Sequence, residues 1–131
     1  MDTVSAKIDT RLYRTEITST SGNILISDEP TQLGGKNLGL NPTELLASSL
    51  ASCTLITLRM YINRKQWDVS EINVKIDFER NSERNVSSFI RKIEVIGEVD
   101  EMQRLRLETI ANSCPIHKTL THSIEIKTTL I

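Results

Sequence analysis

The stretch Asn41-Pro42-Thr43-Glu44-Leu45-Leu46-Ala47-Ser48-Ser49-Leu50-Ala51-Ser52-Cys53-Thr54-Leu55-Ile56-Thr57-Leu58 decides how the rest of the chain is read. Asn41 is a good N-cap, because its side-chain oxygen can accept an N–H that the first helical turn leaves unpaired. Pro42 suits the first helical position, where its missing N–H costs nothing. Glu44 falls where its carboxylate can reach back and close a capping box. The spacing predicts a helix from Pro42 to about Lys65 or Gln66. Charges resume only at Arg59, Arg64 and Lys65, in closing turns where they suit the helix dipole.

The uncharged run from Leu45 to Leu58 has 14 residues, three of them serine and two threonine. That is short of the ~20 apolar residues a membrane span needs, so a buried helix and no membrane association are expected. A helix with no charged face is expected to be surrounded by protein. At 1.5 Å per residue it is ~36 Å long. A chain of 131 residues has a radius of gyration of only ~14 Å and can hardly cover such a helix alone. An intertwined homodimer with a large apolar interface is therefore expected. The runner-up is a monomer whose helix threads a strongly curled sheet.

Working outward, the N-terminal side reads as a β-like stretch from Val4 to Ile17. A Ser21-Gly22-Asn23 turn and Ile24-Leu25-Ile26 follow, so two strands of a hairpin are expected. Asp28 to Leu40 is rich in turn formers and reads as a loop, of a length often tied to function. On the C-terminal side, Ile72, Val74, Ile76 and Phe78 alternate with polar residues, predicting a half-buried strand. A polar turn, Asn81 to Ser87, leads to a second strand around Phe89 to Val99. Asp100 with Gln103 predicts another capped helix, with Met102, Leu105 and Ile110 on roughly one side, stopped at Cys114-Pro115. Ser123 to Leu130 alternates again and predicts a last strand. The expected order is β-β-α-β-β-α-β, a mixed α+β fold in a single domain spanning 1-131.

Sixteen Ile, fourteen Leu and six Val against five aromatic residues make the core aliphatic. The charge balance, 16 basic against 17 acidic residues, argues against a general nucleic-acid binder, which needs excess cations to neutralise phosphates. The first residues carry no basic patch ahead of an apolar run, so no signal peptide and a cytoplasmic location are expected. Cys53 and Cys114 then start out reduced. They lie too far apart for a C-x-x-C motif, and no close ligand pair joins them with His117 and His122, so no metal is expected. A reactive thiol needs a nearby cation or helix N-terminus, and Arg11, Arg14, Lys36 and Arg59 are the candidates. His117 lies close enough to Cys114 in sequence to serve as a base. Glu44 has a structural explanation as the capping-box acid. The glycines at 34, 35 and 39 do not form a phosphate loop.

Asp28-Glu29-Pro30, Gly34-Gly35 and the run from Asn41 to Thr54, with Cys114-Pro115 about 60 residues beyond Cys53, closely resemble the OsmC/Ohr family of osmotically inducible and organic hydroperoxide resistance proteins. The resemblance covers essentially the whole chain. It implies a domain-entwined α+β homodimer with active sites at the subunit interface. It also implies a thiol peroxidase: Cys53 attacks an organic hydroperoxide and becomes a sulfenic acid, and Cys114 condenses with it to a disulfide. A small dithiol or lipoyl-type reductant would then open that disulfide, and no bound cofactor is expected. In the best-studied branch a Glu stands ten residues before the first cysteine and pairs with an activating arginine. Here that position is Thr43, with Glu44 one place on, and Arg14 or Arg11 from the preceding strand, or Arg59 from the helix, would supply the charge. A non-enzymatic dimer that binds a small apolar ligand or senses redox state is the alternative. A hydrolase or transferase using Cys53 and His117 is a third reading, with no recognisable oxyanion-hole motif.

Overall fold

In the computed structural model, which describes residues 1–131, helix α1 runs from Pro42 to Lys65, as its caps predict. The Glu44 N–H donates to Asn41 Oδ1 at 2.8 Å, so the cap forms. Only this half of the expected capping box is made, and the Glu44 carboxylate stays exposed. At the other end Gln66 adopts a left-handed φ of 55°. Its N–H donates to Asn63 O at 3.2 Å and that of Trp67 to Ile62 O at 3.1 Å, the two bonds of a Schellman cap. Trp67 then rests edge-on against Tyr61, ring centroids 5.5 Å apart.

Burial along α1 follows one stripe, Leu50, Thr54, Leu58, Tyr61 and Ile62. The expectation that the helix is covered on every side is not met within one chain: Leu46, Ile56 and Met60 are exposed. The reason is the supply of neighbours, since only a two-stranded ribbon and one further helix provide the core that packs on the stripe. An 18-residue window of α1 has a mean hydropathy of 1.5, so by length and composition the helix could also cross a membrane. Of that window 28% is buried within the chain.

The chain divides into two compact units, Met1–Leu46 and Ala47–Ile131. In the first, strands β1 (Val4–Ile8), β2 (Thr15–Ser19) and β3 (Ile24–Ser27) form an antiparallel sheet in that order. The single strand expected over Val4 to Ile17 is thus two strands. Asp9 breaks it by accepting the Arg11 N–H at 2.8 Å while pairing with the Arg11 guanidinium at 2.8 Å. The loop from Asp28 to Leu40 is organised by one buried carboxylate. Asp28 accepts the N–H groups of Tyr13 at 3.2 Å, Glu29 at 2.8 Å, Lys36 at 3.2 Å and Leu38 at 3.1 Å. Burial pushes its pKa up, but the four N–H donors outweigh that and hold it below the ordinary value. Gly39 lets the loop pass close to β3, where a Cβ would collide with the Ile26 carbonyl.

In the second unit, β4 (Asp68–Asn81) and β5 (Val86–Glu98) form an antiparallel ribbon with Phe78 opposite Phe89. A bulge between Val69 and Glu71 shifts the register near its base. Gly97 lies across from Val69 with φ 156°, and a Cβ there would collide with the Asp68 carbonyl. Helix α2 (Glu101–Ala111) starts with the complete capping box of Asp100 and Gln103. Its buried residues are Leu107 and Ala111, whereas Met102 and Leu105 are exposed, so the inward stripe lies on another side than expected. Leu58, Tyr61, Ile62, Val69, Leu107 and Ala111 form the core, and Arg106 Nε donates to Tyr61 Oη at 3.0 Å across it.

Pro115 does not simply end the preceding helix. It opens a third one, α3 (Pro115–Leu120), with Cys114 as N-cap. Proline at the first helical position fits this role as well as it fits a helix stop. No strand forms over Ser123 to Leu130, and those residues are exposed. Their alternation is present, but no strand edge of this chain pairs with them. The fold is mixed α+β, with element order β-β-β-α-β-β-α-α.

Candidate functional site

Two of the sequence-derived site residues come together in the second unit. Cys53 sits midway along α1 and is half-buried, and Cys114 is fully buried at the start of α3; both are free thiols. Because Pro115 has no N–H, the first amides that α3 offers are those of Ile116 and His117. The first faces the Cys53 thiol. The second donates to Cys114 Sγ at 3.2 Å. One helical turn thus serves both sulfurs, with Thr57 and Cys114 itself as the other polar neighbours of Cys53.

The electrostatics of Cys53 are a contest. Burial pushes the thiol up, the Ile116 N–H pulls it down, and Cys114 pushes it up again, first by a hydrogen bond that favours the protonated thiol and then by like charge. Burial wins, so the Cys53 thiol lies above its ordinary value in the single chain.

Arg91, half-buried on β5, is the residue that the sequence reading missed. Its Nη1 donates to Thr54 Oγ1 at 2.9 Å, and its Nη2 donates to Asn112 Oδ1 at 2.8 Å and lies 3.2 Å from His117 Nδ1. Thr54 is the chain neighbour of Cys53, while Asn112 and His117 flank Cys114. A signal for Arg91 was present: Phe89, Arg91, Ile93 and Val95 share the half-buried face of β5, so a charged residue stands on the apolar parity. Burial and the Arg91 charge push the His117 pKa below its ordinary value. The neutral ring accepts at Nδ1 and carries its proton on Nε2.

Beside this cluster runs a groove of about 750 Å³. Its apolar wall includes Leu50, Phe89, Ile93 and Leu107, and Arg91 and His117 line it as well. Neither cysteine does.

The other candidates make contacts of their own. Arg14 is in the first unit, with Nη2 3.9 Å from Glu16 Oε2. Arg11 is paired to Asp9 in the same unit. Glu44 occupies the first turn of α1. Arg59 donates from Nη1 to Val69 O at 2.9 Å, which ties α1 to β4. Three or more His, Cys, Asp or Glu side chains nowhere gather into a group that could hold a metal ion.

Comparison with known proteins agrees with this architecture. The family model described as OsmC-like protein matches residues 34–129. A structure from Psychrobacter arcticus 273-4, provisionally described as an osmotic stress induced and detoxification response protein, is 26% identical with a TM-score of 0.78, covering 91% of this chain and 88% of that one. An OsmC-like protein from Mycoplasma pneumoniae is 17% identical with a TM-score of 0.77, covering 92% and 87%. The organic hydroperoxide resistance protein OhrB of Bacillus subtilis is 20% identical with a TM-score of 0.61, covering 91% and 89%. No curated protein matches the sequence. With more than half its length matched by the family model, and its two cysteines gathered at one helical turn, the chain belongs to the OsmC-like family.

Proposed function

We propose that the protein is a cysteine-based thiol peroxidase that reduces organic hydroperoxides in oxidative-stress defence. The observation that carries this reading is the meeting of Cys53 and Cys114 over the first turn of α3. Membership of a family with relatives named for organic hydroperoxide resistance supports it.

The Cys53 thiolate attacks the terminal peroxide oxygen, the O–O bond breaks, and the departing alkoxide takes a proton to become an alcohol. Cys53 is oxidised to a sulfenic acid. Cys114 then attacks that sulfur, water leaves, and a disulfide closes. An external dithiol supplies two electrons and two protons to reopen it. In this reading no bound cofactor or metal takes part, and the reducing cytoplasm supplies the dithiol.

Burial keeps the Cys53 thiol protonated, so a cation must be brought to it. We assign that role to Arg14, with Arg11 as the nearest substitute, and Glu44 would orient it. The partner is a second copy of the chain. It would cover Leu46, Ile56 and Met60 of α1 and take up the alternating segment Ser123 to Leu130 by strand addition.

A second reading is favoured by one observation. The groove is lined by apolar and polar residues in about equal measure and by neither cysteine, as expected of a dimer that binds a small, partly apolar ligand without turning it over. Peroxide consumption by Cys53→Ser and Cys114→Ser separates the two. The peroxidase reading expects Cys53→Ser to be inactive and Cys114→Ser to turn over once and stall. Steady turnover by Cys53→Ser, or none by the native chain, contradicts it.

A further inference from the structure

We infer that Arg91 is the positioning residue that holds the Cys53 and Cys114 segments together and thereby sets how readily their disulfide forms. The inference deepens the peroxidase reading, since it rests on the same two thiols pairing, but it concerns an equilibrium that needs no peroxide.

Helix α3 has six residues and none of them is buried. A helix that short is not stable on its own, and its apolar residues Ile116 and Leu120 are only half-buried. A polar clamp adds to the hold of its buried Cys114 cap. The Arg91 guanidinium reaches Thr54 beside Cys53 at 2.9 Å, Asn112 two residues before Cys114 at 2.8 Å, and His117 three residues after it at 3.2 Å. Each end of the clamp is itself held. Thr54 is fully buried and spends its own proton on Leu50 O, which leaves its oxygen to accept from Arg91. The His117 N–H is spent on Cys114 Sγ, so the ring that Arg91 holds and the sulfur that reacts belong to one rigid turn.

All three acceptors are neutral, and no carboxylate lies within ion-pairing distance of Arg91, so its charge is not consumed by a salt bridge. The planar fork reaches three acceptors in directions that a lysine ammonium on a flexible stem does not reproduce. Holding two thiols together before they react prepays the ordering that disulfide closure requires. Losing the clamp lowers the effective concentration of one thiol at the other.

The test is equilibration of the native chain and its variants with glutathione, in which two protein thiols and glutathione disulfide exchange with the protein disulfide and two glutathiones. The fraction of linked Cys53 and Cys114 is read by mass after alkylation. Arg91→Gln is expected to lower the equilibrium constant for disulfide formation about tenfold, a potential less negative by about 30 mV. Arg91→Lys should fall between the two. Arg106→Gln, which breaks the bond to Tyr61 in the same core, should lower Tm without moving the constant, so lost stability and lost positioning are told apart. If Arg91→Gln does not fold, the near-isosteric Thr54→Val carries the test with a smaller shift in the same direction.

An unchanged or larger constant in the folded Arg91 variants overturns the inference, as does no shift in Thr54→Val or no Cys53–Cys114 linkage in the native chain. A shifted constant in a protein that does not consume peroxide sustains the inference and removes the peroxidase reading. Peroxide turnover with an Arg91-independent constant does the reverse.

Discussion

Arg91 Nη1 meets Thr54 Oγ1 at 2.9 Å across 37 positions of sequence, one residue from Cys53. This bond fastens the middle of α1 to β5, and the same guanidinium reaches both sides of Cys114. The site is therefore a tertiary object, assembled by a strand that carries neither thiol.

The Cys53 thiol is sensitive to its sulfur neighbour. Cys114 is one of the groups that push the Cys53 thiol up. In Cys114→Ala, alkylation of Cys53 by iodoacetamide should have its midpoint at lower pH than in the native chain treated alike, with the adduct placed by mass. A midpoint that moves up would mean that Cys114 stabilises the Cys53 thiolate instead.

Asp28 holds the loop that leads into α1. Its four N–H donors want an anion, and an amide would turn an NH2 toward at least one of them. Asp28→Asn should lower Tm at neutral pH. Because the folded carboxyl lies below its ordinary value, this contribution is present above about pH 4 and is lost as pH falls through the folded value. The gap between native and variant Tm should accordingly close in acid.

His117 responds to acid with the same sign. The unfolded ring titrates near pH 6.5 and the folded one lower, so between them only the unfolded chain holds the proton. Stability from this group is full above about pH 6.5 and declines as pH falls through the lowered folded value. Protonation also sets a cation against Arg91. The urea midpoint of the native chain should drop more between pH 7.5 and 5 than that of His117→Gln; equal drops would show that His117 carries no linked proton.

Packing supplies a check that is independent of the thiols. Leu58 is fully buried at the centre of the core, and Leu58→Ala should cost about 2–5 kcal/mol in urea unfolding. Gly97→Ala should cost about 1–3 kcal/mol, because its Cβ meets backbone rather than a movable side chain. Values near zero at both positions would contradict the core described.

What the sequence made legible were features whose causes are local. Asn41 and Pro42 announced α1, alternation announced β4 and β5, and Asp100 with Gln103 announced α2. What it hid depended on partners or on ambiguous residues. The break at Asp9 to Arg14 carries no glycine or proline, being made by an Asp9–Arg11 pair. Pro115 serves equally as a helix stop and a helix start. Ser123 to Leu130 has the pattern of a strand, and pattern alone does not supply the neighbouring edge. Cys53 and Cys114 were singled out from their motifs, but that they share one turn of α3 is a consequence of packing. Arg91 stood on the apolar face of its strand and was passed over among charged neighbours.

The central claim is that Cys53 and Cys114 form a peroxidatic pair, and intact mass tests it most directly. The reduced protein is treated with one equivalent of cumene hydroperoxide and its free thiols are counted. The account predicts loss of both thiols with a decrease of about 2 Da, the mark of a disulfide. Unreacted thiols, or a slow gain of about 16 Da at one cysteine, the mark of a sulfenic acid that nothing resolves, would contradict it.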